Sequence, residues 1–589
     1  MIVFQSDLFR IDLSKYNVSL KEKSSLFSDN IYQSYSLPFV VPEASEIIKK
    51  LGLPTLNNII NLKTSISGRL LFFDKFYSCK FYIQSYKSNN LNCKFTFGDN
   101  KPDGFDAELK NLGWDNIVIE NFNDHAVSLI SKSWPQTSHQ FPLIHDAKIQ
   151  EEDNYEKFLG FINNYDQLSG SFLSNQFLNE VDDDGDTVSV LYNRNVMMPC
   201  VYLAEILQKG YKLAGKEVLG EFINHEIIKK IIYKPDTFLE KFYDTQFETF
   251  IFSNPESVNP EGGTDNYYLT TFDPQEVGSY ELYLKFNLPR SIASSFHLKV
   301  TVEDVLFKEY SSSLSRVILN EKLKINIEGI TSTTKVKVEL FIPFTNINIE
   351  DYNTIQFSFA EGDLNLFPRL YNLGEFMPDM TFGEFVNFIK NWFNLDIKTF
   401  DNYVIIDFLE NNITRRRKRD HEHLKVNDAE FSTNQNKVYK LQYDNDEKVI
   451  VNKQGQIYNE IDIDVNEIVE IKVEASALVS EFKRRILTAV ASENESKFDF
   501  MYYDGLTANR VPSSAALSMQ NVYDLFWKKW LRTRINSKTV KESFTCSAFE
   551  TFDKDEISKK YNEFIFPKEI NIKYLNSETI EVSIEGETL

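Results

Sequence analysis

A two-residue hydrophobic period recurs along this chain from about residue 66 to residue 584, and it restricts the fold to one built mainly from half-buried strands. The clearest stretch is Tyr280, Leu282, Leu284, Phe286 and Leu288, alternating with Glu281, Tyr283, Lys285 and Asn287. Val336, Val338, Leu340 and Ile342 repeat the pattern. Successive strand side chains point to opposite faces, so one face is buried and the other wet, as in an antiparallel sandwich. A final hairpin follows the same rule, with Ile570, Ile572 and Tyr574, a turn near Asn576-Ser577, then Ile580, Val582 and Ile584. Short amphipathic helices separate the strands. The expected fold class is α+β, mostly β, multidomain, with β-barrel and β-sandwich modules.

At 589 residues the chain is too long for one core. Five segments are expected: an extended arm plus small β sheet or barrel at 1–105, a mixed region at 106–250, an inserted β-sandwich at 251–368, a helix-plus-hairpin unit at 369–435, and a β-rich unit at 436–589. The 49 Phe and 29 Tyr, against seven His and four Cys, supply material for cores and subunit contacts but little for catalysis. A net charge of −22 repels phosphate, which disfavours sequence-independent nucleic-acid binding and anionic membranes. Cys79, Cys93, Cys200 and Cys546 show no C-x-x-C spacing, so buried thiols are expected; a Cys79–Cys93 contact across a hairpin is the alternative. No leader-like segment and no apolar run of about 20 residues is visible, so a protein made in a cytoplasm without membrane insertion is expected.

Ser36-Leu37-Pro38-Phe39-Val40-Val41-Pro42 is an extended apolar segment fenced by two prolines, because proline fixes φ and biases its predecessor toward β geometry. A short helix is predicted at 43–51 and strands at 69–73, 79–84 and 93–97. Pro199 is placed at the first turn of a helix over 199–214, with Cys200, Leu203, Ala204, Leu207, Tyr211 and Ala214 on one face. A second short helix is predicted at 221–233. Thr381 and Glu384 have capping-box spacing ahead of the stripe Phe382, Phe385, Val386, Ile389, Trp392 and Phe393. Strands at 395–400 and 403–408, a polar loop at 411–435, strands across 438–475 (Ile461, Ile463 and Val465 alternating) and a helix at 521–533 complete the reading.

Three stretches invite chemistry. Glu180 to Asp186 is acidic, but an EF-hand loop starting at Glu180 would place Leu191 where a bidentate Glu must close the shell, so a surface turn is expected. His421 and His423 lack a third ligand at metal spacing. Arg415-Arg416-Arg417-Lys418-Arg419 is the one basic block. It reads as a solvated loop, or as a contact for an acidic partner or passing nucleic acid. No G-x-S-x-G elbow, P-loop or H-E-x-x-H is present, and no carboxylate pair stands out for glycoside hydrolysis.

Several patches in order resemble one family. Leu26-Phe27-Ser28-Asp29 followed by Ser36 to Pro42, the block from Pro199 to Tyr233, Met377-Pro378-Asp379-Met380-Thr381-Phe382, and Tyr523 to Leu531 together resemble large tail proteins of phages and prophages of Bacteroidetes-type bacteria, similar to tail-hub or baseplate-hub proteins. The resemblance implies a virion structural protein of the tail tip. It would be a homotrimer made in the host cytoplasm, its paired β-barrels continuing the tail tube around a channel for DNA. Its partners would be tail tube, distal tail and fibre proteins. The resemblance brings no catalytic residue, metal or cofactor, so the chain is not expected to be an enzyme. Leu37, Pro38 and Phe39 are expected to dock on a neighbour, Arg415–Arg419 to meet a partner or the channel, and Phe382, Phe385 and Trp392 to build a core. The alternative is a receptor- or carbohydrate-binding tail protein using the sandwich near 280–342. A cell-wall hydrolase would instead need two carboxylates about 5–10 Å apart.

Overall fold

The computed structural model describes residues 2–589 except 28–33, 43, 52–64, 73–74, 88–89, 99–101, 120, 151–159, 167, 174–176, 182–186, 192, 241, 245, 257–258, 261–263, 276–277, 291–294, 313–315, 328–333, 361–363, 367–369, 414, 434–436, 453–456, 459–466, 484–485, 492–495 and 504–513. The chain is mostly β and forms two compact units. The first comprises Met1–Phe158, Ile162–Phe238 and Leu370–Leu589; the second comprises Leu159–Phe161 and Leu239–Arg369. Among the described residues no helix is long and apolar enough to cross a membrane.

A 14-stranded sheet organises the first unit. Its strands are β1 (Ile2–Gln5), β2 (Arg10–Asp12), β3 (Ser19–Lys23), β4 (Tyr35–Ser36), β5 (Phe39–Val41), β6 (Ser65–Phe72), β7 (Lys75–Lys87), β8 (Asn90–Phe97), β9 (Lys418–Asp420), β10 (Glu430–Thr433), β11 (Lys538–Ser547), β12 (Ile557–Lys560), β13 (Glu563–Tyr574) and β14 (Thr579–Thr588). The order is β2-β1-β6-β7-β8-β4-β3-β13-β14-β11-β10, with β5 beside β8 and β12 joining β9 to β13. Thus β3 lies antiparallel to β13, Glu22 opposite Ile570. Strands from the first, fourth and last expected segments, at 2–97, 418–433 and 538–588, therefore share one sheet. Alternation fixes which face of a strand is buried and says nothing of which strand lies beside it. The buried face carries Phe4, Leu20, Phe72, Phe81, Ile572 and Val582 in one core, with Phe4 stacked on Phe81 at 4.9 Å. All four cysteines are free.

The capping box forms as predicted. The Thr381 hydroxyl accepts from Glu384 N–H, and the Glu384 carboxylate accepts from Thr381 N–H at 2.7 Å. The helix Phe382–Phe393 ends on Asn394 at φ 52°, a left-handed stop that Asn tolerates. Strands Leu395–Thr399 and Tyr403–Phe408 then pair as a hairpin, and Glu217–Leu219 adds to it in parallel. The helix predicted from Pro199 begins later, at Leu203, and runs to Leu213. Cys200–Tyr202 is instead a fully buried strand between His139–Gln140 and Ile231–Tyr233. Neighbours on both sides satisfy its backbone, and that outweighs the local helical spacing. The region 221–233 contains only a four-residue helix, Glu221–Asn224, a 3-10 turn and that strand. The supposed loop at 411–435 contains β9 and β10. The helix near 521–533 runs from Met519 to Asn536 with a π turn at Tyr523–Trp527. Ile461, Ile463 and Val465 lie outside the described residues.

Gly210 marks where the helix Leu203–Leu213 crosses the one at Phe382–Phe393. A Cβ there would sit 2.0 Å from Cε2 of buried Phe382. Gly-to-Ala in a helix ordinarily gains about 0.5–1 kcal/mol, while forcing an atom into a packed core costs about 1–3 kcal/mol. Gly210→Ala is therefore expected to lower stability in chemical denaturation, and Phe382→Leu in the same chain to recover part of the loss.

The second unit is a β-sandwich. One sheet orders Phe247–Phe250, Asn353–Phe359, Gly278–Leu288 and Val317–Ile327; the other orders Asn266–Phe272, Val336–Ile342, Phe296–Val302 and Val305–Ser312. All pairings are antiparallel. The core between the sheets is formed by the alternating residues of the sequence: Tyr280, Leu282, Leu284 and Phe286 from one, Leu298, Val300, Val338 and Leu340 from the other. Tyr280 stacks on Phe357 at 4.9 Å and 6°.

Candidate assembly surfaces

The segment around Pro38 runs along the sheet as β4 and β5, interrupted where proline supplies no N–H. Leu37 N–H donates to Ser19 O at 2.9 Å, and β5 pairs with β8, Val40 opposite Asn92. Alternation then divides the side chains. Phe39 points inward, edge-on to Phe81 and Phe95 at 6.2 and 5.7 Å, and is 5% exposed. Its expected docking on a neighbour is thus corrected: Phe39 belongs to its own chain's core. Leu37 and Val40 are 48% and 47% exposed, and Pro38 is exposed between them. Among the described residues no strand pairs with the outer edge of β5.

The preceding Phe27 also docks internally, against Trp530 at 5.3 Å and Phe566 at 5.9 Å, beneath the Arg534 guanidinium at 5.0 Å. Arg534 forks onto Glu587 through Nε and Nη2 at 3.1 and 3.0 Å. A positively charged planar group over an aromatic face, held by a bidentate carboxylate, fixes this N-terminal stretch to the C-terminal helix.

The basic run is largely consumed within the chain. Arg416, with a 3% exposed side chain, donates to Asp396 Oδ2 at 2.7 Å and to Asp555 Oδ1 at 3.0 Å, 5.0 Å over the Phe566 ring. Burial alone would weaken its charge, but Asp396 and Asp555 outweigh burial and hold its pKa above the usual arginine value. Arg419 pairs with Glu556 at 2.6 Å, Arg417 reaches the same carboxylate at 3.4 Å, Arg415 pairs with Glu221 at 3.0 Å, and Lys418 lies 4.4 Å over Phe564. As a partner or channel contact, Arg416 is excluded by burial; the side chains of Arg415 and Arg417 stay about two-thirds exposed at 67% and 68%. Sequence reasoning missed this because the four carboxylates involved lie far away in the chain.

His421 and His423 part company. His421 Nδ1 meets Ser558 Oγ at 2.9 Å against Phe552, and burial lowers its pKa; exposed His423 meets Glu550 at 3.0 Å. Among the described residues no group of three or more His, Cys, Asp and Glu is placed to hold a metal ion. The acidic loop 182–186 lies outside the described residues. Phe382, Phe385 and Trp392 are 0% exposed and form core, with Trp392 Nε1 donating to Tyr443 Oη at 2.8 Å. Tyr523, Phe526, Trp527 and Trp530 are buried too.

Two polar clusters were not foreseen. Tyr371 Oη bridges His125 Nε2 at 2.9 Å and His139 Nε2 at 2.5 Å; burial lowers the pKa of both rings, that of His139 to about 3. Buried Lys234 meets Asp146 at 2.5 Å and Asp499 at 3.9 Å. Burial raises Asp499 to about 7. Lys234 also reaches the exposed carboxylate of Asp236 at 3.5 Å.

No family model and no curated protein matches this chain. Solved structures similar to it include a tail protein from Neisseria meningitidis MC58, 9% identical over 54% of this chain and 96% of that one, TM-score 0.19. They also include the prophage MuSo2 43 kDa tail protein from Shewanella oneidensis, 6% identical over 54% and 97%, TM-score 0.18. A family 35 carbohydrate binding module from an environmental isolate is 10% identical over 23% and 97%, TM-score 0.13. The chain covers only 14% of another similar structure, the dimeric latent PorU from Porphyromonas gingivalis.

Proposed function

We propose that this protein is a structural subunit of a bacteriophage tail tip: a hub or baseplate component that joins the tail tube to the tip or fibres, assembles as a homotrimer and leaves a passage for DNA. The observation that carries the reading is the outer edge of β5, which no strand among the described residues pairs with, and the exposure of Leu37, Pro38 and Val40 along it. An unpaired strand edge flanked by apolar side chains is a hazard for a lone protein and an attachment site for an assembling one. The mechanism is burial of that edge and its side chains between subunits, with no chemical step. An obligate contact of this kind buries more than about 2,000 Å².

The test is the mass of the purified full chain by light scattering across a range of concentrations, together with its symmetry in images of the particle. The natural chain is expected to give three-chain particles. Leu37→Glu with Val40→Glu is expected to give single chains whose far-ultraviolet circular dichroism matches that of the natural chain, because both side chains lie on the exposed side of the strand, while their unfolding transition loses its dependence on protein concentration. A natural chain that is monomeric in solution and in the particle overturns the reading. Point variants are needed because removing residues 1–45 would delete β1 to β5 from the main sheet.

A second reading rests on the sandwich. Phe247, Phe307 and Phe344 are 58%, 44% and 73% exposed, and exposed aromatic faces suit stacking on sugars. Glycan binding by the full chain that is lost in Phe344→Ala would favour a receptor- or carbohydrate-binding tail protein.

A further inference from the structure

Glu22 is out of place. In β3 the side chains alternate, and Glu22 takes the inward position two residues from buried Leu20. It is 3% exposed, and its Oε1 has no hydrogen-bond partner. Leaving a carboxylate oxygen buried and unpaired is costly, and such an exception in a native fold calls for a cause. Glu22 lines a cleft of about 1030 Å³ within the first unit. Asp553, Lys554 and Asp555 face Glu22 from the turn before β12, and a backbone hydrogen bond from Lys554 reaches its carboxyl group. Lys398 and Asp401 line the cleft from the hairpin turn, Asp7 and Arg69 from the N-terminal strands. Acidic groups thus outnumber basic ones. The apolar walls include Phe76, 67% exposed, and Phe400, 42% exposed and stacked on Tyr403 at 4.6 Å.

We propose that this cleft receives a segment of a partner polypeptide and that an Arg or Lys side chain of the segment lays its stem along Phe76 and Phe400 and places its cation on Glu22. The volume exceeds what a single side chain fills and suits several residues of an extended segment. The exposed rings match the apolar stem and the face of a guanidinium. The unpaired oxygen matches its N–H donors. This inference stands apart from the tail assignment: the cleft is defined by its lining, whatever particle the protein joins.

Burial, then Asp553, raises the Glu22 pKa to about 8. A cation binds the ionised carboxylate, so entry releases a proton at neutral pH. The affinity is fully developed above pH 8 and falls about tenfold for each unit below it.

The probe is the capped pentapeptide Ala-Ala-Arg-Ala-Ala, titrated into the full-length protein by calorimetry, against the same peptide with neutral citrulline and against spermidine. The arginine peptide is expected to bind at least tenfold more tightly than the citrulline peptide at pH 8, and to weaken about tenfold between pH 7 and pH 6. Glu22→Gln, which keeps the shape of the protonated side chain, is expected to lose at least tenfold in affinity and all of the pH dependence. Phe400→Ala, on the exposed wall, is expected to weaken binding without affecting the fold and serves if Glu22→Gln fails to fold. Equal binding of the arginine and citrulline peptides overturns the proposal. So does unchanged binding by Glu22→Gln or Phe400→Ala, or tighter binding of spermidine that the arginine peptide fails to displace.

Discussion

Replacing Arg416 by Met is expected to remove about 3–5 kcal/mol from the stability of the first unit. The arginine lies between Asp396 and Asp555 at 2.7 and 3.0 Å with its side chain 3% exposed. Methionine fills a similar volume, so the loss is chiefly electrostatic: two carboxylates are left facing one another without the cation that holds them. Asp396, itself 3% exposed, cannot recover its hydration in place. Adding Asp396→Leu is expected to restore a large part of the loss, because replacing both members of a buried pair with apolar groups is far milder than removing one. All five tryptophans belong to the first unit, so tryptophan fluorescence in a denaturant titration follows this unit alone. An Arg416→Met transition within 0.5 kcal/mol of the natural one would show that the pair is not what joins the hairpin to the C-terminal sheet.

Trp392→Ala is expected to cost a similar amount, about 3–5 kcal/mol, for a different reason. Trp392 is 0% exposed, with Phe500, Phe393 and Phe388 at ring separations of 4.4, 4.5 and 5.4 Å. Removing the indole leaves a cavity and takes away the hydrogen bond to Tyr443, whose hydroxyl keeps Leu517 O as its acceptor at 2.9 Å. The backbone oxygen of residue 392 still accepts from Trp527 Nε1, so the helix-to-helix link survives. The midpoint should fall with an unchanged denaturant slope, and Trp392→Phe should retain much of the packing and fall less. A transition in Trp392→Ala that matches the natural one would place the core elsewhere.

The residues that could be read correctly from sequence were those whose partners are close in the chain. Thr381 and Glu384 are three positions apart, and their capping box is a local matter of spacing. The sandwich strands announce themselves through alternation, because a pleated strand sorts side chains by parity whatever lies beside it. Phe39 and Leu37 were grouped by composition, but parity puts one inside and the other outside. Cys200 to Tyr202 looked helical because the run after them is, and only the strands at 139–140 and 231–233 decide otherwise. Arg416 looked like a surface cation because Asp396 and Asp555 are remote in sequence. Glu22 gives no signal at all: a charged residue in a short polar strand is ordinary until the turn at Asp553, Lys554 and Asp555, more than 500 positions on, lies against its side chain.

The adjacency of β3 and β13 also has a consequence for biosynthesis. Their paired residues, Glu22 and Ile570, stand roughly 550 positions apart, a span that makes their meeting slow and late. While translation proceeds, β3 waits with its flank uncovered, open to capture by another nascent chain. A ribosome stalled before β13 therefore leaves a product with a raw seam, and such products should collect on chaperones or aggregate in place of maturing.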